Sequence, residues 1–170
     1  LWREMGNPIF PLFNGIFQSR ELIPMNIMDW QFMPPGFLGA LAYPFYWLVG
    51  DNRSSEYPFR DARFAVATLL ILFGIGRSLV TRVTIFTQRD IQFLLFFVVS
   101  YAAWLAVFSI QRYAVVVGLG CAPLVVLLIS RSLAGPPGAF TQRASSLRVN
   151  SVMAATALLI ALWSQPGDWF

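Results

Sequence analysis

Long apolar runs alternate with short segments of charged residues and proline in the part of the chain that follows Asp61. A helix that crosses a membrane needs about 20 mostly apolar residues, because the hydrocarbon layer is about 30 Å thick. Runs that approach this length and are bounded by charge are therefore candidate spans. The pattern predicts four membrane-spanning helices, over Ala62–Val80, Ile91–Ile110, Tyr113–Ile129 and Val149–Trp163.

A fifth apolar segment, Gly36–Gly50, is shorter than these runs and has Pro44 near its middle. Such a length is more typical of a re-entrant or interfacial segment than of a full crossing, and proline disfavours a regular helix interior. Tyr43, Tyr46 and Trp47 would suit the headgroup level, where amphipathic rings are enriched. The pattern alone leaves open whether this segment crosses the membrane.

The predicted fold class is all-α, a polytopic transmembrane helix bundle with four clear spans, one ambiguous segment and a short N-terminal interfacial or loop region. Composition supports this class, since 57% hydrophobic and 12% charged residues leave too little polar surface for a soluble globule of 170 residues. Residues 1–61 are expected to be external or interfacial, with 36–50 as a candidate re-entrant segment. Residues 62–170 form the transmembrane region. Because the chain begins with Leu1, we expect it to be a fragment of a longer protein.

All twelve basic residues are arginines, and they lie at the ends of apolar runs instead of forming a basic stripe. This distribution excludes a nucleic-acid-binding surface as the reason for the net charge of +4. The connections on one side of the predicted spans collect most of them, and the positive-inside rule makes that side cytoplasmic. The arginines on that side are Arg77, Arg82, Arg89, Arg131, Arg143 and Arg148.

The chain offers few groups for chemistry, because it has no histidine and one cysteine, Cys121, inside an apolar run. A disulfide framework and a cysteine metal site are excluded, no cofactor is indicated, and a divalent metal has no support in the sequence. Phosphate-binding glycine loops, GxSxG and HExxH are missing as well. A general base would have to be a carboxylate.

Two carboxylates are candidate catalytic groups. Asp29 lies between apolar stretches beside Trp30, where burial would suit it to proton transfer, although an N-cap or turn role is the favoured explanation. Asp61 opens the first span, where an acidic N-cap complements the helix dipole. Arg60 and Arg63, which lie on either side of Asp61, could hold an anionic headgroup there.

Four other residues are candidate substrate-binding positions. Arg112 stands with Tyr113 between two apolar runs, where a guanidinium can bind a phosphate or carboxylate through two parallel hydrogen bonds. The simpler interpretation is a loop arginine that extends to the membrane interface. Asn7 and Asn14 lie in the stretch GNPIFPLFNGIFQS, where they either cap turns or hold a sugar.

Two stretches resemble a known class of proteins. Gly6-Asn7-Pro8, followed by Phe10-Pro11, Asn14 and Phe17, resembles a GNPxFPxxNxxF segment of large bacterial polytopic proteins related to the C-fold class of membrane glycosyltransferases. Arg112-Tyr113, with Pro123 further on, is similar to a helix start found late in those enzymes. The acidic pair that usually supplies their base in an early external loop is not visible here.

The resemblance implies an activity and a location. Enzymes of that class pass a sugar from a polyprenyl-phosphate donor to an acceptor on the outer face of the membrane, so Arg112 would lie near the donor phosphate. The implied role is cell-envelope glycan assembly in the bacterial inner (plasma) membrane. Membrane lipids and a polyprenyl-phosphate sugar are the implied partners, and nucleic acid is not one.

The sequence leaves two functional hypotheses. The first is a membrane glycosyltransferase in which a carboxylate deprotonates the acceptor hydroxyl. The second is a non-enzymatic polytopic scaffold or a transporter-like protein, in which the arginines only set topology. A transporter is the weaker form of the second hypothesis, because the interiors of the predicted spans hold almost no ionisable residues.

Overall fold

The computed structural model describes residues 2–26, 30–82, 86–134 and 142–165. Within these ranges the chain is built from α-helices and 3-10 turns without a strand, so the all-α prediction is confirmed. The helices are α1 (Trp2–Met5), α2 (Asn14–Phe17), α3 (Gly36–Val49), α4 (Arg63–Thr81), α5 (Gln88–Val107), α6 (Val115–Ala134) and α7 (Gln142–Trp163). The 3-10 turns are Trp30–Phe32, Asn52–Ser54 and Gln111–Tyr113.

Helices α4, α5, α6 and α7 are each long and apolar enough to cross a membrane, so the protein is an integral membrane protein. Helix α3 is apolar but has only 14 residues, with Pro44 in its interior. The four predicted spans therefore all exist, and the short segment is a helix of sub-span length. At about 1.5 Å per residue, α3 is roughly 21 Å long, which is shorter than a hydrocarbon layer of about 30 Å.

The first span is shifted by one residue from its predicted boundaries, and the second span by three. Helix α4 begins at Arg63, with Ala62 in the capping position. Helix α5 begins three residues before the predicted start, because the Thr87 side chain accepts the N–H of Asp90 while the Asp90 carboxylate accepts the N–H of Thr87. This capping box satisfies two helix donors outside the apolar run, which hydrophobicity does not record.

The last two spans differ more from the prediction. Tyr113 belongs to a 3-10 turn that precedes α6, so it is not the first residue of a span. The predicted connection, Ser130–Arg148, is helical at both ends, because α6 continues to Ala134 and α7 begins at Gln142. Arginine, serine and glutamine can continue a helix beyond the membrane. The prediction ended both helices where polar residues begin, and therefore made them too short. Residues 135–141, which include the sequence Gly-Pro-Pro-Gly, lie outside the described residues.

A cluster of aromatic rings forms one end of the core. Trp47 of α3 is fully buried, with its ring 4.3 Å from that of Phe64 and 5.3 Å from that of Trp104. Tyr43 packs edge-on against Trp104 at 6.2 Å. Apolar side chains of α6 continue the core, and Cys121 is buried among them.

The two ends of the bundle differ in chemistry. At the end that we name the tryptophan end, α4 and α6 begin, α5 and α7 end, and Trp47, Trp104 and Trp163 donate hydrogen bonds. At the opposite end, the arginine end, Arg131 binds Asp90 at 2.7 Å and Arg77 donates to the carbonyl of Ser132. The arginine end is the side that the positive-inside rule predicts to be cytoplasmic.

Candidate functional site

The pair Asp61–Arg63 lies at the start of α4, at the tryptophan end. Asp61 lies one residue before the N-cap of α4, which is Ala62, and not at the N-cap as predicted. Its Oδ1 accepts the backbone N–H of Arg63 at 2.9 Å. The Arg63 guanidinium binds the same carboxylate through Nε, at 3.0 and 3.1 Å, and through Nη2, at 2.7 Å. The side chain of Asp61 is 8% exposed and that of Arg63 is 41% exposed. A nearly buried carboxylate is thus compensated by a guanidinium that still reaches its surroundings.

Two neighbouring helices hold this pair in place. The backbone N–H of Asp61 donates to the carbonyl of Trp47, at the end of α3, at 3.0 Å. The N–H of Ala62 donates to Oγ of Ser164, directly after α7, at 3.2 Å. The start of α4 is therefore fixed from both sides, which gives the carboxylate a defined position.

A polar cavity of about 370 Å³ opens between the first turns of α4 and α6. The positive ends of two helix dipoles point into this region, which favours an anion. A Cβ added at Gly118 would lie 4.0 Å from Nη2 of Arg63, so the guanidinium reaches over α6 where that helix has no side chain. The lining residues are Asp61, Arg63, Phe64, Gln111, Ala114, Val115, Gly118 and Leu119.

An apolar groove of about 240 Å³ lies between α6 and α7, and Arg63 lines it as well. Its α6 wall extends from Ala122 to Ile129, a rise of about 10 Å along the helix. The other lining residues are Val125, Val126, Met153, Thr156, Ala157, Ile160 and Ala161. One arginine therefore borders both a polar cavity at the end of the bundle and an apolar groove between two spans.

The predicted binding residues Arg112 and Tyr113 lie in the 3-10 turn that leads into α6. Gln111, the first residue of this turn, lines the polar cavity, so the backbone of Arg112 lies directly beside that cavity. The side chain of Arg112 is outside the described part of the structure. Tyr113 is about half exposed, and its ring packs against that of Phe108 with centroids 4.8 Å apart.

The amide of Asn7 is buried and bonded to its own loop. Its Nδ2 donates to the carbonyl of Leu12 at 2.9 Å, and its Oδ1 accepts the N–H of Ile9 at 3.0 Å. Side-chain amides that bond the backbone in this way stabilise turns. The turn-capping alternative thus describes what Asn7 does in this structure, and a role in sugar binding stays a prediction.

Asn14 organises the next loop in the same manner. Its Nδ2 donates to the carbonyls of Leu22 and Ile23 at 2.9 and 3.1 Å, and its Oδ1 accepts the N–H of Ser19 at 2.8 Å. Asn14 is fully buried, and its amide supplies hydrogen-bond partners for backbone groups of a loop that has no regular secondary structure to pair them. Asp29, the other predicted catalytic carboxylate, lies outside the described residues.

Metal binding gains no support from the donor groups of the site. Across residues 2–26, 30–82, 86–134 and 142–165, no three histidine, cysteine, aspartate or glutamate side chains converge. The carboxylate at the polar cavity is bound by Arg63. The arrangement suits an anion beside a base more than a cation.

The structure adds Gln111 and the groove between α6 and α7 to the residues that the sequence suggested. The groove combines residues of two spans more than twenty positions apart in the chain, so periodicity within one helix could not reveal it. Gln111 had a weak signal, because it immediately precedes Arg112 at a helix start. Asp61, Arg63 and Gln111, the residue before Arg112, meet around one cavity, whereas Asn7 and Asn14 face their own loops.

Comparison of the chain with protein-family models, with curated proteins and with solved structures finds no match.

Proposed function

We propose that the protein is an integral membrane glycosyltransferase that transfers a sugar from a polyprenyl-phosphate donor during cell-envelope glycan assembly in the bacterial inner membrane. The observation that carries the proposal is the position of Arg63, which lines both the polar cavity and the apolar groove. Such a donor combines an anionic head with a long apolar chain, and these two parts match the two environments. The resemblance of GNPIFPLFNGIFQS and of Arg112-Tyr113 to known glycosyltransferases supplies the type of reaction.

The proposed chemistry uses residues at the polar cavity. The bond between the anomeric carbon of the sugar and the donor phosphate oxygen breaks, and the acceptor hydroxyl oxygen bonds to that carbon. The electron pair leaves with the polyprenyl phosphate, while the hydroxyl proton moves to the carboxylate of Asp61. Arg63 and Arg112 stabilise the charge on the departing phosphate.

The geometry of Arg63 supports this division of roles. Its bonds to Asp61 use Nε and Nη2, so Nη1 is not part of the pair. The same guanidinium therefore fixes the orientation of the base and presents a further donor to a phosphate oxygen. A charge-assisted bond of this kind gains strength beside the apolar part of the cavity lining, which Phe64, Val115 and Leu119 form.

Sugar transfer by the full-length protein in membrane vesicles tests the proposal. With a polyprenyl-phosphate sugar as donor, wild-type protein should transfer and Arg112→Ala should lose at least about tenfold in rate, since bonds to charged groups are worth about 1.5–3 kcal/mol. Arg148→Ala is the matched control, because this exposed arginine lies in α7 near the arginine end. Undiminished transfer by Arg112→Ala would remove Arg112 from the mechanism.

A non-enzymatic scaffold is the second candidate, and one observation favours it. The arginine end is held together by the chain itself, through Arg131 with Asp90 and through Arg77 with the carbonyl of Ser132. Such links between α4, α5 and α6 serve stability without any ligand. Absence of transfer by wild-type protein from polyprenyl-phosphate donors, in vesicles where the protein is folded, would favour the scaffold.

A further inference from the structure

The segments on either side of α3 lie next to each other. The 3-10 turn Trp30–Phe32, which precedes α3, contacts the 3-10 turn Asn52–Ser54, which follows it. The hydroxyl of Tyr43, in the middle of α3, donates to the carbonyl of Phe32. The chain therefore approaches α3 by running back along the helix, and the two limbs form a hairpin.

The base of the hairpin, where the segments before and after α3 meet, is attached to the tryptophan end of the bundle. Trp47 donates from Nε1 to Oγ of Ser54, and its carbonyl accepts the N–H of Asp61 at 3.0 Å. The rings of Phe64 and Trp104 that pack on Trp47 belong to the first turn of α4 and the last turn of α5. Both flanks of α3 are thus fixed at one end of the spans.

The other half of the hairpin is apolar and exposed. Phe37 is 77% exposed, Leu38 79% and Leu41 55%, and the chain has no charged residue from Trp30 to Val49. By contrast, the end of the hairpin at the bundle carries the Asp51–Arg53 ion pair, with Arg53 also bonded to the hydroxyl of Tyr46. One half of α3 therefore suits hydrocarbon and the other half suits water.

We propose that residues 33–49 form a re-entrant hairpin, whose tip around Phe37 and Leu38 enters the acyl chains of the leaflet at the tryptophan end and returns to the same side. From Tyr43 to Gly36 the helix rises about 10 Å, which reaches into one leaflet and not across the bilayer. The occupant is lipid because the hairpin is attached to the ends of three spans, α4, α5 and α7, so its apolar half continues their surface.

The hairpin also determines on which side the opening stretch lies. Since the chain enters and leaves the hairpin at the tryptophan end, residues 2–26 lie on the same side of the membrane as Asp61 and Arg63. The loop held by Asn7 and Asn14 then faces the compartment into which the polar cavity opens. This topology does not depend on the proposed enzymatic activity.

Single-cysteine labelling of the full-length protein tests the sidedness. In a Cys121→Ala background, a membrane-impermeant maleimide added to one side of oriented vesicles reacts with cysteines introduced at exposed positions. Arg20→Cys and Arg53→Cys should react from the same side, and Arg89→Cys should react only from the opposite side. Reaction of Arg20→Cys together with Arg89→Cys would mean that α3 crosses, and would overturn the proposal.

A fluorescent label at the tip tests the contact with lipid. A nitrobenzoxadiazole label on Leu38→Cys should emit at shorter wavelength and be quenched by a nitroxide on lipid acyl chains, whereas the same label on Glu56→Cys should be quenched by aqueous iodide. Phe37→Cys repeats the measurement should one variant fold poorly. Quenching of the tip label by iodide alone, or by neither quencher because a second protein copy covers it, would contradict the proposal.

Discussion

Two Asp-x-Arg pairs, ten positions apart, show what a short motif determines by itself. In Asp51–Arg53 and in Asp61–Arg63, Oδ1 of the aspartate accepts the backbone N–H of the arginine at 2.9 Å. In both pairs the arginine returns Nε to the carboxylate, at 3.2 Å in the first and at 3.0 Å in the second. The Asp-x-Arg spacing is thus accompanied by the same capped turn and ion pair at both places in the fold.

The surroundings make the two pairs different. The Asp51 side chain is 28% exposed, and Arg53 stacks on the ring of Tyr46 at 4.7 Å, which makes this an exposed surface pair. Asp61 is 8% exposed, and its arginine lines the polar cavity and the apolar groove. Only the second pair has both a buried carboxylate and room for a ligand, so helix packing selects it as the candidate site.

The largest expected difference between the pairs is in activity. Asp61→Asn should lower sugar transfer about 100- to 10,000-fold, because a lost general base costs that much. Asp51→Asn, the same change in the exposed pair, should leave transfer unchanged. The measurement is the initial rate of transfer at equal amounts of folded protein in vesicles. Equal losses of transfer rate in Asp61→Asn and Asp51→Asn would contradict the comparison of the two pairs, because the buried carboxylate would then have no role that the exposed one lacks.

This contrast also marks the limit of what the sequence could predict. Apolar runs identified four spans, and Asp61 was expected at the start of the first span, where it lies one residue before the N-cap, because capping and hydrophobicity act locally. The burial of Asp61 and its separation from the exposed Asp51 could not be predicted. They arise from Trp47 and Ser164, which belong to other helices.

Boundaries failed for a related reason. The α7 start, Gln142, lies seven residues before the predicted start, Val149, because a helix continues beyond the membrane wherever its backbone bonds remain satisfied. The groove between α6 and α7 depends on how two spans meet, and neither run carries a signal for it. Gln111 was overlooked because a 3-10 turn has no hydrophobic periodicity.

A smaller effect should separate the groove from the ordinary lipid-facing surface of the same helix. Ala157→Phe places a ring in the groove, whereas Ala155→Phe places the same ring at an exposed position on α7 outside it. We expect Ala157→Phe to weaken use of the polyprenyl donor about tenfold, because the ring occupies space that the donor chain would fill. Ala155→Phe should change nothing. The readout is the donor concentration that gives half-maximal transfer.

The donor site would lie elsewhere if neither substitution changed the donor concentration that gives half-maximal transfer. Such a result would mean that the apolar groove does not bind the donor together with Arg63. The pair Asp61–Arg63 would then differ from Asp51–Arg53 only in burial. A drop in both variants to the same degree would indicate that any added bulk on α7 disturbs the bundle. Size-exclusion profiles in detergent would show whether each variant is folded.

Binding of polyprenyl phosphate to the purified full-length protein tests the central claim most directly, because it requires Arg63 to recognise the lipid and requires no transfer. The amount of lipid retained in detergent should be equal for wild-type protein and Arg53→Gln, and should fall at least about tenfold for Arg63→Gln, which loses a charge-assisted bond to phosphate. Retention by Arg63→Gln at the wild-type level would contradict the account.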